Sequence, residues 1–168
     1  TTWHKGLNRI NFVRGFKMKV AQGKVCVEAT TSWIVLNLET RRFVRDPKLM
    51  DEGTFCHDHA IDQSADKVLV PKDIEAEYVM DHVVSYSDVD MLGHTNNAMY
   101  MHWAMDAVAY EITSQKPLKE VTINFNREAR AGETVSIYRT VVESEEQLHV
   151  YVEGKVEGAS SFCIEMIF

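Results

Sequence analysis

Asp88, Asp90, His94, Asn96 and Asn97 fall within ten consecutive positions of a 168-residue chain. Two carboxylates and an imidazole at that spacing could activate a water and carry its proton, and side-chain amides beside them could orient a carbonyl. The cluster leads directly into the apolar run that begins at Ala98, and the start of a helix supplies unpaired backbone N–H groups and a positive dipole end. A carbonyl placed there is polarised as its oxygen becomes an oxyanion. The same residues also suit a structural role. Asp and Asn cap helices and turns, and His94 can fill a polar gap beneath them. On residue types alone the capping reading stands slightly ahead, and the link to a buried helix, which would put a polar cluster at the mouth of an apolar tunnel, raises the chemical one.

The elements that must position these groups follow from periodicity. Apolar residues alternate with polar ones from Arg14 to Asn37, interrupted at Ala21-Gln22-Gly23-Lys24, which predicts an antiparallel hairpin whose second strand runs on through Trp33 to Asn37. Residues 1–48 are expected to form a first, mostly sheet unit. Residues 49–76 break that composition, with Gly53, Ser64, Pro71 and many acids, and are expected to be a linker. Residues 77–168 form the second unit: a strand from Glu77 to Ser85, a polar turn through His94, a helix from Asn97 to Glu111, then four strands near 121–126, 134–142, 148–152 and 161–167. Ala98, Met99, Met101, Trp103, Ala104, Met105, Ala107, Val108 and Ala109 occupy every face of that helix, so it is expected to be buried on nearly all sides. An antiparallel sheet wrapped round a central helix meets the demand. The strand pattern of residues 14–37 repeats weakly at 134–167. The first copy lacks a helix, which leads to the expectation that its opening strand and helix precede Thr1.

Bulk properties narrow the function classes. A net charge of −7 opposes binding to a polyanionic backbone, so no nucleic-acid partner is expected. The least charged stretch, Met91 to Met105, is too short and polar to span a bilayer, so no membrane span is expected. Cys26, Cys56 and Cys163 leave an odd thiol, are read as free, and fit a reducing cytosol. Cys56-His57-Asp58-His59 has metal-ligand residue types, but consecutive residues rarely converge on one ion, and the stretch reads as a solvated loop. No metal and no cofactor are expected. His102 reads as a core or tunnel histidine.

The run SYSDVDMLGHTNNAMYMHW, residues 85–103, resembles the signature of hotdog thioesterases: a D-x-D turn, a His, an Asn-Asn pair, then a spaced Tyr and Trp. Residues 12–47, including Ala29-Thr30-Thr31-Ser32-Trp33 and Glu39-Thr40-Arg41-Arg42-Phe43-Val44, resemble the first-domain segment of acyl-acyl carrier protein thioesterases. The resemblance implies an α+β protein with two hotdog units in tandem, the first truncated at its N-terminus. It implies hydrolysis of fatty acyl thioesters on acyl carrier protein by carboxylate- and His-assisted water attack, with acyl-CoA hydrolysis or non-catalytic acyl binding as alternatives. Carried over by position, the family's catalytic set falls on Asp90, His94 and Glu128. Asn96, Asn97, Tyr100 and Trp103 are the expected substrate-binding residues, with Tyr100 lining the tunnel and Trp103 reading equally as core. The family's catalytic Asn falls on Leu92, and Ala129 stands where plant members carry a Cys. The implied partner is an acyl carrier protein, and a homodimer is left open. The implied location is the bacterial cytoplasm, or the plastid for a plant protein. Arg14, Lys17, Lys19, Arg41, Arg42 and Arg45 could form the carrier's docking face or an ordinary solvated sheet face.

Overall fold

The computed structural model describes residues 1–40, 42–44, 56, 58, 61 and 65–168. Arg41, Arg45, His57, His59 and much of the first half of the expected linker lie outside the described residues. The chain divides into two compact units, Thr1–Asp66 and Lys67–Phe168.

In the first unit β1 (Thr2–Asn8), β2 (Asn11–Lys19) and β3 (Val25–Trp33) form an antiparallel meander. The expected turn is present: Gly23, at φ +83°, donates its N–H to the Val20 carbonyl. The second strand stops at Trp33 rather than reaching Asn37. Asn37 itself accounts for the change, because its Oδ1 accepts the N–H groups of Glu39 (3.0 Å) and Thr40 (2.8 Å) and turns the chain back on itself. Leu36 then bridges to Phe43. Strand β1 was not expected from periodicity. A register shift between His4 and Gly6 spoils its alternation, and Trp3 lies over Gly15, where a Cβ would come within 2.7 Å of the indole.

The second unit begins at Lys67, within the stretch expected as a connection: Val68 is buried and donates its N–H to Asn124 Oδ1. Its sheet has the order β4-β6-β7-β8-β5, antiparallel throughout, from β4 (Glu77–Val83), β5 (Glu120–Phe125), β6 (Thr134–Glu143), β7 (Leu148–Val156) and β8 (Ala159–Ile167). Strict alternation in β7 buries Leu148, Val150, Val152 and Val156 on one face. Helix α1 (Asn97–Ala107) packs Tyr100, Trp103, Ala104 and Ala107 into a core with Ile137, Val150, Phe162, Ile164 and Met166. Among the described residues, no helix is long and apolar enough to cross a membrane.

Two expectations for the helix are corrected. It does not run to Glu111: Val108 is extended and Ala109 is non-helical, and a short α2 (Tyr110–Gln115) follows. The break turns Val108 into the core and frees the Ala107 carbonyl, which accepts from Arg139 Nη1 at 2.9 Å. Nor is α1 covered all round. Ala98, His102 and Asp106 are exposed, and Met99, Met101 and Met105 are half-buried. A methyl group and flexible thioethers cost little when partly wet, so their presence on the outer face does not require a second covering layer.

Gly154 in β7 pairs with Phe162 in β8, and a Cβ there would lie 2.1 Å from the Phe162 ring. The ring is fully buried, so it cannot swing aside. Gly154→Ala is expected to destabilise the second unit by about 1–3 kcal/mol through overpacking, read as a lower urea midpoint at unchanged slope.

Candidate active site

Two connections build the site. The first joins β4 to α1. Its tip is the turn Asp90–His94, closed by a single Val89–Thr95 bridge and by the Asp90 N–H, which donates to the His94 carbonyl at 2.8 Å. Asp90 Oδ1 accepts the N–H groups of Leu92 (2.8 Å) and His94 (3.2 Å), and Gly93 adopts φ +79°. The second connection joins β5 to β6 and carries Glu128. It is tied to the sheet where Ser161 O accepts the N–H groups of Asn126 and Arg127, while the Ser161 hydroxyl donates to Arg127 O at 2.7 Å.

The connections meet at Ala129, which is fully buried. Thr95 Oγ1 donates to the Ala129 carbonyl, and the Ala129 N–H donates to Tyr100 Oη at 3.0 Å. This double attachment brings Glu128 Oε1 to 3.5 Å from His94 Nδ1. The pair borders an open cleft of about 290 Å³ whose walls include His94, Thr95, Asn97, Tyr100, Phe125 and Glu128. Its lining combines charged side chains, Arg127 and Glu128, with the aromatic rings of Tyr100 and Phe125. Glu128 and His94 together can take a proton from a water and return it. Among the described residues no hydrogen bond engages the N–H of Asn97, the first residue of α1, and that amide is available to an oxyanion.

Of the residues singled out in the sequence, His94, Glu128, Asn97 and Tyr100 are brought together around the cleft. Asp90, Asn96 and Trp103 are not among its lining residues. Asp90 holds the turn that presents His94. Asn96 is the helix N-cap, its Oδ1 accepting from Ala98 N at 3.0 Å. Trp103 is core, 2% exposed, with its ring against Tyr100 and His82. Leu92 contributes its backbone N–H to the turn and leaves its side chain in solvent. None of the three cysteines lines the cleft. Among the described residues there is no group of three or more His, Cys, Asp or Glu side chains arranged to hold a metal ion.

Comparison with known proteins bears on this arrangement. Residues 71–168 match the model of the acyl-ACP thioesterase C-terminal domain. Oleoyl-acyl carrier protein thioesterase 2 of Arabidopsis thaliana chloroplasts is 28% identical over 83% of this chain and 41% of its own length. A chloroplastic palmitoyl-acyl carrier protein thioesterase of Gossypium hirsutum is 26% identical over 73% of this chain and 31% of its own. The chain thus spans about two fifths, or less, of the length of these relatives. Among solved structures, an acyl-ACP thioesterase from Bacteroides thetaiotaomicron superposes with a TM-score of 0.81 at 23% identity, over 99% of this chain and 66% of that one. The 12:0-ACP thioesterase of Umbellularia californica gives 0.85 at 20% identity, over 99% and 63%. At such identities the likeness establishes the fold, the α+β hotdog arrangement expected from residues 85–103.

The buried anchor of the first connection was only partly visible in the sequence. Asp88, 2% exposed, directs Oδ2 at three donors: Ser85 N (2.7 Å), Ser85 Oγ (2.9 Å) and His82 Nε2 (2.9 Å). Its own carbonyl accepts from Asn96 N at 2.8 Å, so one residue fixes both ends of the loop that carries His94. The pattern Ser85-x-x-Asp88 is a capping box and could have signalled the carboxylate. His82, three residues upstream of the box on β4, carried no such signal.

Burial pushes the Asp88 carboxyl up, but the Ser85 N–H, His82 and the Ser85 hydroxyl outweigh it and hold the group below the usual carboxylate range. A carboxyl whose folded-state pKa is depressed contributes stability that is present above its unfolded value, about 3.9, and is lost as pH falls through the folded value. Asp88→Asn is therefore expected to lower stability at pH 7 by about 1–3 kcal/mol. The gap between variant and parent should shrink below about pH 4, as measured by urea unfolding across pH. A gap that stays constant or widens in acid would show that the carboxylate is not the anchor.

Proposed function

The chain belongs to the acyl-ACP thioesterase family, and from that premise we propose that it carries the hydrolytic site of an enzyme cleaving fatty acyl-acyl carrier protein thioesters to free fatty acid and carrier thiol. The observation that carries this reading is the 3.5 Å approach of His94 to Glu128 at a cleft with an aromatic wall. In our reading residues 77–168 are the catalytic hotdog unit, residues 1–48 the C-terminal strands of a first hotdog unit, and residues 49–76 the connection.

The mechanism needs a base and a polarised carbonyl. Glu128 accepts a proton from water, oriented by His94, as the water oxygen bonds to the thioester carbon. The carbonyl electron pair moves onto oxygen, which faces the start of α1 and the N–H of Asn97. Collapse of the tetrahedral species breaks the C–S bond and expels thiolate, which recovers the proton through Glu128 and His94. A thiol pKa near 8.5 makes that departure easy without a strong general acid. Water rather than a cysteine is the nucleophile, because Ala129 offers no thiol and none of the three cysteines lines the cleft. Asp90 acts through the turn it holds. The acyl chain is assigned to the side of the cleft formed by Tyr100 and Phe125, with Trp103 behind them.

The proposed partner is an acyl carrier protein, in the bacterial cytoplasm or the plastid. Of the basic residues suited to an acidic carrier, Lys17 is paired with Glu28 at 2.7 Å, which leaves Arg14, Lys19 and Arg42 as the stronger candidates among the described ones. One observation favours a second reading, non-catalytic acyl binding: Leu92 puts an exposed apolar side chain at the position of the family's Asn. Release of thiol from a long-chain acyl thioester by the purified protein separates the two, and comparing acyl carrier protein with CoA thioesters identifies the carrier.

Glu128→Gln and His94→Ala are each expected to lower kcat by about 10²–10⁴-fold, with folding intact by circular dichroism. Asp90→Asn keeps the oxygen that accepts the two turn amides and should cost at most about tenfold. If Asp90→Asn proves as damaging as Glu128→Gln, the base is Asp90. If neither carboxylate matters, the assignment of this cleft is wrong.

A further inference from the structure

The Tyr100 hydroxyl has one partner, the Ala129 N–H, which donates to it at 3.0 Å. That bond uses a lone pair on the phenol oxygen and leaves the phenol proton to be placed. Among the described residues Oη donates no hydrogen bond, although Tyr100 is only 3% exposed. A buried hydroxyl with an unused donor is costly unless water or a ligand oxygen completes it. Tyr100 lines the same cleft as His94 and Glu128.

The ring cannot turn to find another acceptor. Edge-to-face contacts hold it against Trp103 (5.0 Å), Phe162 (5.2 Å) and Phe125 (5.5 Å), and the first two of these neighbours are buried core residues. An N–H donating into the oxygen also polarises the O–H bond and strengthens its donation. The phenol oxygen is therefore held in place before any ligand arrives.

We propose that Tyr100 is a catalytic hydrogen-bond donor to the substrate's carbonyl oxygen, acting beside the Asn97 N–H as the second donor to the oxyanion. The proposal rests on the thioester-hydrolase reading of the same cleft and adds to it a residue in contact with the reacting atoms. No proton is transferred in full: the O–H bond shortens its contact as charge builds on the carbonyl oxygen and relaxes when the C–S bond breaks.

The test must separate donation from the support Tyr100 gives to Ala129. Tyr100→Phe keeps the packed ring and loses the hydroxyl. Thr95→Val loosens the same Ala129 peptide from its carbonyl side and leaves the phenol donor in place. In the full-length protein, Tyr100→Phe is expected to lower kcat by about 10²-fold with little change in KM, and Thr95→Val by clearly less. Equal losses in the two variants, or no loss in Tyr100→Phe, would overturn the proposal.

A binding arm stands apart from turnover. A long-chain acyl trifluoromethyl ketone and its analogue with CH₂ in place of the carbonyl are titrated into parent and Tyr100→Phe protein by calorimetry. Loss of a donor weakens the ketone by about tenfold and leaves the carbonyl-free analogue unchanged. Loss of support weakens both alike and overturns the proposal, as does a parent protein that does not prefer the ketone. If the parent prefers the ketone and Tyr100→Phe abolishes that preference, yet no thiol is released from any thioester, the hydrolase reading fails and with it the catalytic role, and Tyr100 is a donor to a bound carbonyl only.

Discussion

The carboxylate of Asp88 is the interaction on which the site's geometry depends. An anion that is 98% removed from solvent is stable only if donors replace its water, and three do so from within six residues of the same chain. The arrangement is local, so it can form wherever β4 ends. It is also directional, because His82 reaches Asp88 while its ring lies 4.4 Å from that of Trp103. The end of a strand, a capping turn and the core face of α1 are thereby tied to one charged group. The loop bearing His94 hangs from that knot at Asp88 and from the Asn96 cap.

Glu128 arrives from the opposite edge strand, and nothing in its own connection aims it at His94. The aim comes from Ala129. Its carbonyl is held by a residue of the first connection and its N–H by a residue of α1, so the peptide after Glu128 is fixed by the elements that also fix His94. A small residue suits position 129 because the site is fully enclosed. The exposed side chains that face the cleft are thus oriented by buried groups one position away, a common way for a polar site to borrow rigidity from a packed interior.

Much of this was legible in the residues. The D-x-D turn, the histidine and the Asn pair marked the loop. Four of the strands of the second unit were placed to within about two residues, and β6, β7 and β8 bury apolar side chains in the core. Other features were not legible, for physical reasons. The break at Val108 depends on a guanidinium from β6 reaching the end of α1, a contact far apart in sequence. The one-sided burial of α1 was hidden because Ala and Met are tolerated both in cores and in half-wet positions. Strand β1 lost its period to a bulge. In the site, residue types could not divide capping from chemistry among Asp90, Asn96 and Asn97. Only the direction of each side chain does: the first two each spend one oxygen on backbone N–H groups, and the third borders the cleft.

The strand order has a kinetic consequence. β6, β7 and β8 are joined by short connections and pair with their neighbours in sequence, so their meander closes small loops. β4 and β5, the two edges, pair with strands much farther along the chain, and each pairing closes a long loop whose entropy must be met before its contacts can form. His94 and Glu128 lie on the connections that leave those two edge strands. The site is therefore distributed over the slowest-closing parts of the sheet, and its two halves can face each other only after both edges have docked on a finished meander.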